Sequence, residues 1–231
     1  MNTITEAALY RLMSWLSPFY PVGGFSYSHG LDYAVEAGLV NDAAMLKLFV
    51  ETVLAHGAGR SDAALFVAAW RAAQACDKAR LDEIDDIADL ALAWRGSKEA
   101  ALESEAQGTA FLATTRAAWP APLLEEFARD HVSVAFPVAV AVAAAAHRVP
   151  LAASLAAYLH AFASNLVSAG MRLIPLGQSD GQDIVAKLEA AIAACGQSAL
   201  KTPLESVGIS APLIDWCSMR HETQYTRLFR S

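Results

Sequence analysis

Hydrophobic residues recur three and four positions apart along nearly the whole chain, the period of α-helices with one buried face, and no strand-like alternation of useful length appears. Thr3 and Glu6 have the spacing of a capping box that opens a first helix, which must end before Pro18. Pro18, Pro21, Gly23 and Gly24 then predict a tight non-helical loop. A short helix is expected from Leu31 to about Ala37, closed by Gly38, with Asn41 or Asp42 capping the next. In that next helix Met45, Leu46, Phe49, Val50, Val53 and Leu54 form one apolar face. Gly57 and Gly59 interrupt the pattern, and Ser61 and Asp62 restart it ahead of Leu65, Phe66, Ala69 and Trp70. From Ala79 to Trp94, Leu81, Ile84, Ile87, Ala88 and Ala91 line one face. Asp82, Glu83, Asp85, Asp86 and Asp89 line the other, which reads as a solvated face.

Ser97 caps a long helix that reaches Ala118, before Trp119-Pro120. Pro122 to Val132 and Pro137 to His147 read as two further helices with proline at their starts. The strongest helix runs from Leu151 to about Arg172, with Leu151, Leu155, Tyr158, Leu159, Phe162 and Leu166 on its apolar face. Ala153, Ala157, Ala161, Ser164 and Ser168 add a stripe of small side chains, which predicts close backbone contact and a central position. The helix ends at Pro175, Gly177 and an Asp180-Gly181 turn, and Ile184, Val185, Leu188, Ala191, Ile192 and Cys195 repeat the pattern beyond it. No repeat or linker is visible. The fold class is therefore all-α, one single-domain bundle of about ten helices over residues 1–231, with the first helix and the tail from about 219 to 231 expected to be mobile.

Composition narrows the function. A chain of 231 residues that is 55% hydrophobic and 18% charged is too apolar for disorder and predicts a surface that meets a partner. The net charge of −7 leaves no broad basic face for phosphates, so nucleic-acid binding is disfavoured. Cys76, Cys195 and Cys217 are odd in number and form no C-x-x-C, and the N-terminus shows no signal-like pattern, which fits reduced thiols in the cytosol. Between Val132 and Met171 the only formal charge is Arg148, yet Val132 to Ala146 is shorter than the roughly 20 residues a membrane span needs. Val149 to Met171 is long enough but is built of Ala and Ser around His160 and Asn165, so buried bundle helices are expected instead.

Catalytic and metal motifs are sparse. The six histidines form no H-x-H, no H-E-x-x-H and no pairing with cysteine at ligand spacing, and no phosphate loop is present, so neither a metal nor a cofactor is expected. Gly24-Phe25-Ser26-Tyr27-Ser28 comes close to the nucleophile elbow G-x-S-x-G, with His221 and Asp215 as conceivable triad partners. That motif needs a preceding strand, whereas AALYRLMSWL has helical periodicity, so a serine hydrolase is only the remote reading. The C-terminal segment interleaves Arg220, His221, Glu222, Arg227 and Arg230 with Tyr225, Leu228 and Phe229, a mixture suited to interface anchors.

The blocks LSPFYPVGGFSYSHGLDYAVEAGLV (16–40), LAAYLHAFASNLVSAGMRLIPLGQSDGQ (155–182) and HETQYTRLFRS (221–231), with the weaker ESEAQG (103–108) and HVSVAF (131–136), resemble the urease accessory protein UreF family. Gly24, Asp32 and Pro137 stand where that family more often has Ala, Glu and Gly. The resemblance implies an all-α homodimer that docks on the UreD scaffold, also called UreH, and recruits the GTPase UreG. The assembly would act as a chaperone delivering nickel to apo-urease. It implies a binding role with no catalytic residue, or alternatively an arginine-finger activator of UreG. Expected partner contacts are Phe25, Tyr27, Ser28 and His29 in the loop, Arg172, Gln178, Asp180 and Gln182 around the second turn, and His221, Glu222, Tyr225, Arg227, Leu228, Phe229 and Arg230 in the tail.

Overall fold

The computed structural model describes residues 3–74 and 78–231, the side chains of 78–81 apart, so the readings of Cys76 and of the Leu81 side chain lie outside the described residues. Short polar side chains start several of the helices by bonding N–H groups that have no partner inside the helix. α1 (Glu6–Trp15) begins at Thr5, whose hydroxyl accepts from Ala8 N, so Thr5 takes the capping role expected of Thr3. Thr5 has the extended backbone a cap requires and reaches the N–H three residues on. α2 is Leu31–Glu36, and Asp42 caps α3 (Ala43–His56) through Met45 N at 2.8 Å. α4 (Ala58–Gln74) starts directly after Gly57, a turn earlier than Ser61 and Asp62 suggest. Both lie inside it, where Ser61 Oγ donates back to Ala58 O and Asp62 faces the core. α5 is Lys78–Ala93, and Ser97 caps α6 (Lys98–Ala118) as expected. α7 (Pro122–Asp130) and α8 (Phe136–Ala146) carry proline at their first or second position.

α9 (Leu151–Leu173) is followed by α10 (Gln178–Lys187), α11 (Glu189–Lys201) and α12 (Pro212–His221). Asp180 and Gly181 do not form a turn ahead of α10. They sit in its first turn, where Asp180 Oδ2 accepts from Gly177 N at 2.8 Å and caps the helix from within. Gly30 does mark a required conformation. Its φ is +78°, and an added Cβ would lie 2.7 Å from Ser218 N on α12, so the entrance to α2 tolerates only glycine.

α8, not α9, is the enclosed helix of the bundle. Apolar on every side, it is buried from Pro137 to Ala145 and packs against α4 on one side and α6 on the other. α9 buries Leu155, Tyr158, Leu159 and Leu166 against α3, α4, α8, α10 and α11. Its stripe of small residues lies at the margin, with Ala153, Ala157, Ala161 and Ser164 half-buried and Ser168 exposed. Large aliphatic and aromatic side chains remove more apolar area from water per position, so they decide which face turns inward. By length and composition α9 could cross a bilayer, and in the fold it forms one wall of the bundle.

The close backbone approach comes instead at Gly108 on α6. An added Cβ there would strike the Val134 carbonyl oxygen and lie 2.6 Å from the Ala135 carbonyl carbon, both rigid main-chain atoms leading into α8. At the other end of α6, Trp15 is buried beside Phe111 and Trp119 at 6.2 and 6.0 Å, and Tyr20 Oη lies 2.8 Å from Thr115 Oγ1. These contacts tie the N-terminal segment to the long helix. Gly108→Ala should therefore lower the free energy of unfolding by about 1–3 kcal/mol, and Ala157→Leu by less, as read by urea denaturation. Equal losses, or a larger loss at 157, would place the tight contact on α9 after all.

Candidate partner-binding site

The three segments singled out by the sequence meet on one side of the bundle. The backbone after α12 turns back along the loop that precedes α2: Arg230 N donates to Ser26 O at 2.8 Å, and Ser28 N donates to Ser231 O at 3.0 Å. Ser28 Oγ also donates to Ser231 O, and Ser231 Oγ donates to Glu103 Oε2 at 2.7 Å. Asp32, in the first turn of α2, completes the attachment. Its Oδ2 accepts from Leu228 N at 2.8 Å and Phe229 N at 3.1 Å, and Gln224 Nε2 reaches Oδ1 at 3.3 Å. Phe229 is 4% exposed, so the tail does find intrachain partners there, while Tyr225 and Leu228 point outward.

Three carboxylates hold this tail. His221 is fully enclosed, with Nδ1 2.6 Å from Glu99 Oε2 and Nε2 3.5 Å from Asp32 Oδ2, the latter a charge contact longer than a good hydrogen bond. Glu99 also pairs with Arg227 Nη1 at 3.0 Å. Burial alone would lower the His221 pKa, but bonds and charge from Asp32 and Glu99 outweigh it and raise the value above 6.5. Desolvation pushes Asp32 up, and His221 with the Leu228 and Phe229 N–H groups overcomes it, leaving the carboxyl below 3.8. His29, at φ +59°, lies 3.7 Å from Glu103 Oε2 and is likewise raised, against its own desolvation, by Glu103. Asp32, Glu99 and Glu103 were not among the expected contacts. Their signal was an acidic residue on an otherwise apolar helix face, which demands a partner when buried.

Arg172, near the C-terminal end of α9, joins all three segments. Its guanidinium carbon lies 3.7 Å from the Phe25 ring centre and 4.2 Å from that of Phe229, and Nη2 donates to Phe25 O at 2.8 Å. Of the expected residues, Tyr27, Ser28, His29, His221 and Phe229 are inward-facing and set the shape of the site. Phe25, Gln178, Asp180, Gln182, Glu222, Tyr225, Leu228 and Arg230 are exposed around it. Arg230 makes no side-chain hydrogen bond or ion pair among the described residues, in contrast to Arg227. Sequence reasoning missed Leu213, Trp216 and Met219, three exposed apolar residues at helical spacing on α12.

The near-match to a nucleophile elbow folds differently. Gly24–Ser26 is one turn of 3-10 helix reached from α1, Ser28 is buried against Ser231, and His221 is held by Glu99 and Asp32. What the geometry offers is a rigid aromatic and arginine platform rimmed by mobile-length polar side chains, the chemistry of protein recognition.

The sequence profile of the UreF family matches residues 40–189. The chain is 55% identical over 227 residues to the urease accessory protein UreF of Granulibacter bethesdensis, covering 98% of this chain and 95% of that protein. It is 51% identical over 226 residues to the protein of the same name from Bradyrhizobium diazoefficiens, covering 97% and 92%. A Rhodopseudomonas palustris relative of that name is 50% identical over 232 residues, covering 100% and 95%.

Two outcomes follow from the carboxylate clamp. Asp32→Ala strands two N–H groups and the His221 charge, so it should cost about 3 kcal/mol in urea denaturation and speed tryptic cleavage at Arg227. For pH, the raised His221 contributes fully below 6.5 and its contribution is lost as pH rises through the folded value. The lowered Asp32 contributes above 3.8 and loses its contribution as pH falls through the folded value. Protection of the tail should therefore be greatest between these limits, and His221→Gln should flatten the alkaline decline. A tail equally protected from pH 5 to 9, compared at about 0.15 M salt, would remove His221 from that role.

Proposed function

This chain belongs to the UreF family, and from that premise we propose that it acts in urease maturation as a binding factor. It docks on a UreD (UreH) scaffold and recruits the GTPase UreG so that nickel reaches apo-urease. The observation that supports this reading most is the convergence of Phe25, Arg172 and Phe229, which builds one surface from three distant segments. Such a surface is specific to the folded chain, and aromatic and arginine anchors carry most of the energy of protein interfaces. Exposed Tyr225, Leu228 and Arg230 flank it, and Trp216 and Met219 extend it along α12. The tail serves as the scaffold contact, offering Tyr225, Leu228 and Arg230 while Phe229 stays stacked on Arg172. Exposed Tyr10 and Met13 on α1 offer a second apolar face for a homodimer working in the cytosol.

The alternative, an arginine finger acting on UreG, needs a guanidinium free to reach a nucleotide. Arg227 is committed to Glu99 and Arg172 to Phe25, which leaves Arg230 as the residue to test. Under the binding role, Arg230→Ala weakens assembly and urease activation in parallel without loss of thermal stability, whereas Arg227→Ala loses both assembly and stability. Size exclusion of the complex beside single-turnover GTP hydrolysis decides the matter. Normal assembly by Arg230→Ala with hydrolysis lowered roughly 10³-fold would replace the binding role with the finger.

A further inference from the structure

Apart from the Arg172 platform, the bundle carries a concavity lined by α3, α4 and α11 and the segment that follows α11. It has a volume of about 340 Å³, within the range of small-molecule sites. Its walls are apolar, formed by Leu54, Ala191, Ala199 and Val207. One cation, Arg60, lines it with a side chain that makes no hydrogen bond or ion pair among the described residues, and its Nε is buried without a partner. Arg60 also occupies the first turn of α4, where the positive end of the helix dipole disfavours a cation, and no acidic residue shares that turn. Glu51, the carboxylate on the wall, is already paired with Lys47 at 2.6 Å. The cleft is thus largely apolar with an unpaired guanidinium on its wall, and Ser198 and Thr202 add hydroxyls that can donate to an oxygen.

We propose that this cleft binds a small amphipathic carboxylate, its head on the Arg60 guanidinium and its chain along the alanine face of α11. An arginine fork fits a carboxylate with two parallel hydrogen bonds, while the alanines leave room for an unbranched chain. The site is separate from the Arg172 platform, so its occupancy gives the protein a ligand independent of its partner face.

Hexanoate serves as the probe, with hexanol and hexylamine as chain-matched neutral and cationic controls, in saturation-transfer NMR and calorimetric titration of the full chain. Hexanoate should bind at one site per chain and the controls at least about tenfold more weakly, since a charge-assisted bond separates them. Arg60→Gln should reduce hexanoate binding to the level of hexanol, and Ala194→Phe, a change at an exposed position on the wall, should block all three. Because both variants alter partly or fully exposed side chains, an unchanged melting temperature checks that the fold is intact. Equal binding of hexanol and hexanoate, retained affinity in Arg60→Gln, or binding unaffected by Ala194→Phe would overturn the proposal. So would absence of hexanoate binding together with loss of partner capture by Arg60→Gln, which would make the cleft a seat for a protein side chain.

Discussion

Carboxylates buried in an apolar bundle must be paired, and the fold depends on how that demand is met at Asp32, Glu99 and Glu103. A lone buried charge would cost several kcal/mol, more than most single contacts return. Here the compensation comes from residues 122 to 197 positions away along the chain: His221, Gln224, Arg227, two tail N–H groups and the Ser231 hydroxyl. The tail is therefore part of the solution to a desolvation problem in α2 and α6. Asp62, Arg95 and Tyr158 solve the same problem deeper in the bundle, with an ion pair at 2.7 Å and a phenol donating at 2.8 Å. There, too, burial and the neighbouring Asp62 push the Tyr158 pKa well up, keeping the donor protonated.

Much of the helical architecture was legible because helix boundaries depend on local chemistry. Ser97, Asp42 and the prolines at 122 and 137 mark starts that neighbours a few residues away enforce. The misreadings share a different origin. Thr3 against Thr5, Ser61-Asp62 as a start, and Asp180-Gly181 as a turn each offered a plausible local signal that another residue pre-empted. The position of α8 could not be read from periodicity, because a helix made of Ala and Val has no preferred face, and the long amphipathic pattern of α9 drew attention instead.

Of the site, the segments were legible and their division of labour was not. Sequence shows that aromatic and basic residues are interleaved in the tail. Which of them point inward depends on the backbone pairing of residues 26–28 with 230–231, a long-range event with no local signature. That pairing turns Phe229 in and Leu228 out, and it converts His221 from an apparent surface anchor into a buried hinge between two acids. The carboxylates escaped notice because an acidic residue in a helix is ordinarily solvated.

The Arg172 sandwich carries a temporal consequence. Phe25 and Arg172 leave the ribosome well before Phe229, and until Phe229 arrives the guanidinium has only one ring to rest on. The candidate binding face is therefore assembled after most of the bundle has had time to form. A partner that recognises the completed stack of ring, guanidinium and ring would ignore chains in which Phe229 has not yet docked, so recognition itself would report that this side of the bundle has folded.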